Sequence, residues 1–104
     1  MEGCFRQAEA VVPKLHGEYE RLYYSGIIWE RRAYVRAVQG APGSTATAYT
    51  WIQRAMDFYR QAEPLRPHGN DDAILRWNSC IRLCERYHLR PEVEGIPQPV
   101  AEGD

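Results

Sequence analysis

The sequence predicts an all-α protein, and three observations lead to this prediction. Apolar residues recur at intervals of three and four along most of the chain, which is typical of helices packed on one face. No stretch shows the alternation of apolar and polar residues that marks a strand. A motif also occurs twice, first as Phe5–Pro13 and again as Tyr59–Pro67. Both copies begin aromatic-Arg-Gln-Ala-Glu and end in proline, which predicts one helical unit stacked on a copy of itself.

The composition indicates one globular domain. A chain of 104 residues with 44% hydrophobic and 26% charged residues is long enough to bury a core. Its net charge of −1 argues against binding nucleic acid or acidic membranes by charge alone. Three cysteines without disulfide spacing, and no signal peptide or membrane-spanning apolar run, predict a soluble cytoplasmic protein. We expect a helical domain over residues 1–90 and a flexible tail rich in proline and acidic residues over 91–104.

The first two helices are predicted over residues 3–12 and 14–38. Pro13 separates them, because the residue before a proline disfavours helical geometry. Two glycines interrupt the second helix at a cost of about 1 kcal/mol each relative to alanine. Gly26 lies on the apolar stripe and predicts a close helix crossing, whereas Gly17 predicts a late or kinked start.

The third and fourth helices are predicted over residues 44–63 and from Asn70 to about His88. Ser44 or Thr45 is a candidate N-cap for the third helix, and Pro64 should end it early. Asn70 is a good N-cap for the fourth helix. The two aspartates that follow Asn70 place negative charge at the positive end of its dipole.

The third helix resembles the second helix of a tetratricopeptide repeat. Ala55, Tyr59, Ala62 and Pro67 provide that family's small residue, aromatic residue, small residue and terminating proline. The interval between the two motif copies is much longer than that family's repeat, so a more general stack of helical hairpins remains an alternative. The resemblance implies about four helices in a short solenoid, which binds a protein or peptide in a concave groove and has no catalytic activity.

The resemblance also implies that the first helices of successive hairpins, here helices two and four, line the groove. Their exposed residues beside the apolar stripe are Glu20, Tyr24, Arg31, Asn78 and Arg82. Arg82 is expected to contact an acidic ligand. Asn78 should bond either to a bound peptide or, as we favour, to a buried group of helix two. Uncovered terminal helices predict a partner protein or self-association.

Other chemistries have weaker support in the sequence. Cys80, Cys84 and His88 share one helical face, but a structural zinc needs four ligands, so we predict no metal and no cofactor. The sequence shows no acid–base–nucleophile set and no phosphate-binding loop, which argues against an enzyme with a site between helices two and four. Arginines interleaved with aromatic residues on these helices leave small-ligand or single-stranded RNA binding as an alternative.

Overall fold

The computed structural model describes residues 2–91, and the prediction of an all-α fold is confirmed over this range, which contains no strand. Four helices are present, with short 3₁₀ turns after the first and third. Their bounds are α1 Glu2–Val11, α2 Glu18–Gln39, α3 Ser44–Ala62 and α4 Asp72–Tyr87. The turns are Val12–Lys14 and Glu63–Leu65. The predicted tail lies outside the described residues except for Pro91.

Helices α2 and α3 form the most extensive helix contact, α4 packs mainly on α3, and α1 packs mainly on α2 and on the turn that follows α1. Small side chains on α3 let the neighbouring helices approach closely, and a single large ring fills the space between them. Ala48, Ile52, Ala55, Tyr59 and Ala62 are all at most 1% exposed. Helix α4 ends at Tyr87, and the C-cap residue His88 takes a left-handed φ of 54° that turns the chain and buries Leu89 against the core.

Three predicted helix starts need correction or refinement. Helix α2 begins at Glu18 rather than residue 14, because Gly17 takes a φ of +84° that favours glycine. The prediction that Ser44 or Thr45 caps α3 is wrong, since Gly43 occupies the N-cap position and no side chain caps the helix. At α4 the Asn70 side chain accepts a hydrogen bond of 2.9 Å from the Asp72 amide, although the helix itself starts at Asp72.

The two copies of the repeated motif end in similar ways. Each helix passes into a 3₁₀ turn that contains a proline, Pro13 or Pro64, and an extended residue follows the turn. Pro64 stands before Pro67, which is the residue that matches Pro13 in the motif. It ends the helical hydrogen bonding of α3 early, as predicted. The connection from α3 to α4, residues 63–71, is therefore longer than the connection from α1 to α2, residues 12–17.

None of the four helices combines the length and the apolar character that crossing a membrane requires, within the residues that the structure describes.

Candidate functional site

A buried carboxylate joins α2, α3 and α4. Glu30 of α2 is only 7% exposed and accepts hydrogen bonds from three side chains. The Tyr59 hydroxyl donates at 2.8 Å and the Ser79 hydroxyl at 3.3 Å. Arg76 of α4 donates to both carboxylate oxygens, from Nη2 at 2.8 Å and from Nε at 3.2 Å. A buried charge is costly unless it is paired and hydrogen-bonded, and Glu30 meets both conditions.

Gly26 allows α2 and α3 to approach closely at this point. It is buried one helical turn before Glu30, and a Cβ atom at this position would lie 2.5 Å from a ring carbon of Tyr59. The predicted close crossing at Gly26 is thus confirmed. Because the ring packs directly against the backbone of α2, its hydroxyl reaches the carboxylate on the next turn.

The same environment changes the proton affinity of its neighbours. Burial, followed by the negative charge of Glu30, raises the pKa of the Tyr59 hydroxyl and of the Cys80 thiol. Burial alone would lower the pKa of Arg76, but the Glu30 carboxylate and the hydrogen bonds with Tyr59 and Glu30 raise it overall. All three raised pKa values favour the protonated forms, so at neutral pH Tyr59 and Cys80 are uncharged and Arg76 is positively charged.

An open groove of about 390 Å³ runs between α2 and α4 above this carboxylate. Its lining residues are Glu30, Arg31, Tyr34, Arg76, Ser79, Arg82, Leu83 and Arg86. We call it the cationic groove, because four arginines face one glutamate that is already bound to Arg76. Arg31 and Arg82 make no hydrogen bond or ion pair within residues 2–91, and Arg86 lies 5.7 Å from the ring centre of Tyr87. A protein with a net charge of −1 therefore concentrates positive charge at this place.

The structure brings together two of the five residues predicted to line a binding groove. Arg31 and Arg82 both line the cationic groove, whereas Tyr24 lies in a different groove between α1 and α2. Glu20 is half-buried in the first turn of α2. Asn78 is exposed and forms no hydrogen bond within the described chain, so the favoured prediction of an internal bond to helix two is wrong.

Sequence reasoning did not assign Glu30 to the site. An apolar stripe does not include an acid, yet Glu30 is buried whereas its apolar neighbour Trp29 is only half-buried. The signal in the sequence was its position, one turn after the glycine of a helix crossing and three residues before a buried alanine. An acid at such a position predicts a buried partner of opposite charge.

The residues considered for metal binding do not converge. Cys80 is buried, Cys84 is half-buried and His88 is exposed at the end of α4. Over residues 2–91 no three histidine, cysteine, aspartate or glutamate side chains are placed to hold an ion.

Two tryptophans, Trp29 of α2 and Trp51 of α3, already have cationic partners. The Arg32 and Arg54 guanidinium carbons lie 4.4 Å and 4.5 Å from the ring centre of Trp29. Arg36 lies 4.8 Å from the ring centre of Trp51. A nucleobase that stacked on either ring would have to compete with these cation–π contacts.

No protein-family model, curated protein or solved structure matches this chain. A functional argument therefore begins from the geometry of the cationic groove.

Proposed function

We propose that this protein is a binding module that holds an acidic segment of a partner protein in the cationic groove, without catalysis. The observation that carries the proposal is the position of Arg31, Arg82 and Arg86 around one open groove. Guanidinium groups present planar pairs of N–H donors that match carboxylates, and charge-assisted hydrogen bonds of this kind are stronger than neutral ones.

Arg76 prepares the groove for such a ligand. Its bonds to Glu30 fix the guanidinium in place, so that less side-chain entropy is lost when a ligand contacts its remaining N–H groups. Glu30 is buried at the base of the groove, where Arg76 neutralises it. The acid that positions Arg76 therefore repels an incoming anion less than an exposed, unpaired carboxylate would.

The dimensions of the groove favour a short peptide segment. A volume of about 390 Å³ is at the lower end of the range for small-molecule pockets, which suits a few side chains better than a large cofactor. The groove is also open, with the exposed Tyr34 ring on one wall. The resemblance to tetratricopeptide repeats supports the same location, because it implies binding between helices two and four.

The proposal can be tested by fluorescence anisotropy with a labelled peptide that carries four consecutive glutamates. Arg82→Ala should weaken binding about tenfold, as expected for loss of one charge-assisted contact. Its melting temperature should stay nearly unchanged, because Arg82 is exposed and unpaired in the described chain. Arg6→Ala is the matched control, since it removes one exposed positive charge from α1, away from the groove.

Three outcomes would contradict the proposal. Equal weakening by Arg82→Ala and Arg6→Ala would indicate a general charge effect. Unfolding caused by Arg82→Ala would make Arg82 a structural residue. A single-stranded RNA that binds more tightly than the peptide, through the same arginines, would favour the nucleic-acid alternative.

Repeating the titrations with the four acidic residues of segment 92–104 changed to amides controls for the chain's own negative charges.

A further inference from the structure

A second groove of about 610 Å³ lies between α1 and α2, and it differs in character from the first. Its lining residues are Cys4, Phe5, Ala8, Val11, Val12, Leu15, Tyr24, Ile27, Ile28 and Arg31. We call it the apolar groove, because Arg31 is the only charged residue among the described residues that line it. Val11 on one wall is 52% exposed and Tyr24 on the other is 47% exposed, so the groove presents large apolar side chains to solvent.

The two grooves meet at one residue. Arg31 lines both of them, and among the residues that the structure describes it is the only one that does so. Tyr24 and Arg31 are seven residues apart on α2, which is two helical turns and about 10.5 Å along the helix axis. An extended peptide covers this distance in about three residues. A single short segment is therefore long enough to occupy both grooves.

We infer that the partner segment is bipartite, with apolar side chains that enter the apolar groove and acidic side chains, about three residues away, that enter the cationic groove. This inference rests on the proposed function and names its ligand more closely. Charge complementarity selects the occupant: the shared residue is an arginine, so an apolar segment that approaches Arg31 gains affinity when acids follow it. A purely apolar occupant would leave Arg31 without an anionic partner.

The two halves of the ligand have different energetic roles. Acidic side chains supply steering and charge-assisted bonds, which added salt weakens. Apolar side chains supply area removed from water, which salt does not screen, and one buried leucine strengthens binding by about tenfold or more. A segment with both apolar and acidic side chains should thus still bind measurably at a salt concentration at which a purely acidic segment dissociates.

The test uses three labelled peptides of equal length. The first contains two leucines separated by two serines from three glutamates, the second replaces leucine with serine, and the third replaces glutamate with glutamine. Each peptide is made in both chain directions, and the direction that binds more tightly is used for the comparison. We expect the first peptide to bind the full chain at least about tenfold more tightly than the second.

Substitutions in the chain identify which groove binds the leucine side chains. Val11→Glu and the uncharged Tyr24→Ser should abolish the advantage of the leucine-containing peptide, because both positions line the apolar groove and are exposed enough to accept substitution. Val38→Glu is the matched control. It adds the same charge at an α2 position that is 47% exposed and lines neither groove, so the advantage should persist. Circular dichroism melting confirms that each variant is folded.

The outcomes separate this inference from the proposed function. If the first two peptides bind equally and Arg82→Ala weakens both, the acidic ligand stands and the bipartite ligand is wrong. If affinity follows leucine content and ignores Arg82→Ala, the proposed function itself is wrong. Sedimentation velocity tests whether a second copy of the chain occupies the apolar groove. Concentration-dependent dimers that Val11→Glu abolishes would show that it does, and this result would overturn the inference.

Discussion

Two junctions between helices use the same three kinds of side chain, but they bury opposite charges. The inner junction joins α2, α3 and α4 through Tyr59, Glu30 and Arg76. The outer junction joins α1 to α2 through Phe5, Glu9 and Arg32. In the inner junction the glutamate side chain is 9% exposed and the arginine 37%, whereas in the outer junction the arginine is 8% exposed and the glutamate 41%.

The buried charge is satisfied differently in each case. Glu30 receives hydrogen bonds from a phenol, a hydroxyl and a guanidinium. Arg32 donates to both oxygens of Glu9 at 3.2 Å, and its guanidinium carbon lies 5.3 Å from the Phe5 ring centre and close to a tryptophan. A carboxylate needs directional donors, while a guanidinium can also bind the faces of aromatic rings. This difference explains why a tyrosine serves the inner junction and a phenylalanine the outer one.

The largest expected effect distinguishes the two rings. Tyr59→Ala should lower the free energy of unfolding by about 3–5 kcal/mol, as truncation of a fully buried ring does. Phe5→Ala should cost less, because α1 packs mainly on α2 and its turn and can detach locally. Urea denaturation followed by circular dichroism measures both losses. Equal losses would show that the two junctions support the fold to the same degree.

A smaller change removes only the hydroxyl of the inner junction. Tyr59→Phe should lower the free energy of unfolding by about 1.5–3 kcal/mol, the range for a hydrogen bond to a charged group. Tyr34→Phe is the control, since Tyr34 is 48% exposed and its loss should stay within about 0.5 kcal/mol. The same urea titrations serve here. If Tyr59→Phe leaves the free energy of unfolding unchanged, the stability of the inner junction does not depend on the Tyr59 hydroxyl.

Alkaline pH should lower the free energy of unfolding, and the inner junction contributes to this loss together with Tyr19, Tyr23 and Cys84, whose pKa values burial also raises. The pKa of Tyr59 is raised in the folded state by burial and by Glu30, so above about pH 10 only the unfolded chain releases this proton. The free energy of unfolding should therefore fall by about 1.4 kcal/mol per pH unit for this group as pH rises above 10. Cys80, whose pKa is also raised, contributes with the same sign from about pH 8.5.

The alkaline experiment has an internal control. In Tyr59→Phe the Tyr59 contribution is absent, so its stability should decline less steeply above pH 10 than that of the natural chain. Urea titrations between pH 8 and 11 measure both slopes. Parallel slopes would contradict the assignment of the pH dependence to Tyr59.

The smallest expected effect concerns the outer ion pair. Glu9→Gln should lower the free energy of unfolding by less than about 1 kcal/mol, because the Glu9 side chain is 41% exposed and water screens the pair. Arg32 keeps its contacts with the rings of Phe5 and Trp29. Thermal or urea unfolding measures the loss. If Glu9→Gln lowers the free energy of unfolding as much as Tyr59→Phe does, the outer ion pair stabilises the fold as strongly as the inner hydrogen bond.

Much of the fold followed from local features of the sequence. Apolar periodicity predicted four helices, and Gly26 on an apolar stripe predicted the close crossing, because these signals depend on neighbouring residues only. Arg31 and Arg82 were predicted to line a groove between helices two and four on different grounds. The resemblance to tetratricopeptide repeats implied the groove, and the position of each arginine just beside the apolar stripe of its own helix selected the residue.

The buried network could not be predicted in this way. Glu30 and Arg76 lie on different helices far apart in the chain, and two other arginines, Arg82 and Arg86, were available on the same helix as Arg76. Which arginine meets the acid depends on the rotation of α4 about its axis. Phe5 and Tyr59 illustrate the same limit: they match in the repeated motif, yet one ring lies beside Arg32 and the other between Gly26 and Glu30. Equivalence of the two hairpins stays a prediction.

Helix α2 has an acid towards one neighbour and a base towards the other, and this arrangement specifies its rotation. Glu30 and Arg32 are two residues apart, so their side chains point about 200° from each other around the helix. Turning α2 by half a revolution would bring Glu30 towards Glu9 and Arg32 towards Arg76, two like-charge encounters in buried surroundings. Apolar packing alone tolerates alternative rotations of a helix whose stripe is broad. The two opposite charges disfavour those alternative rotations and so favour the observed arrangement of the helices.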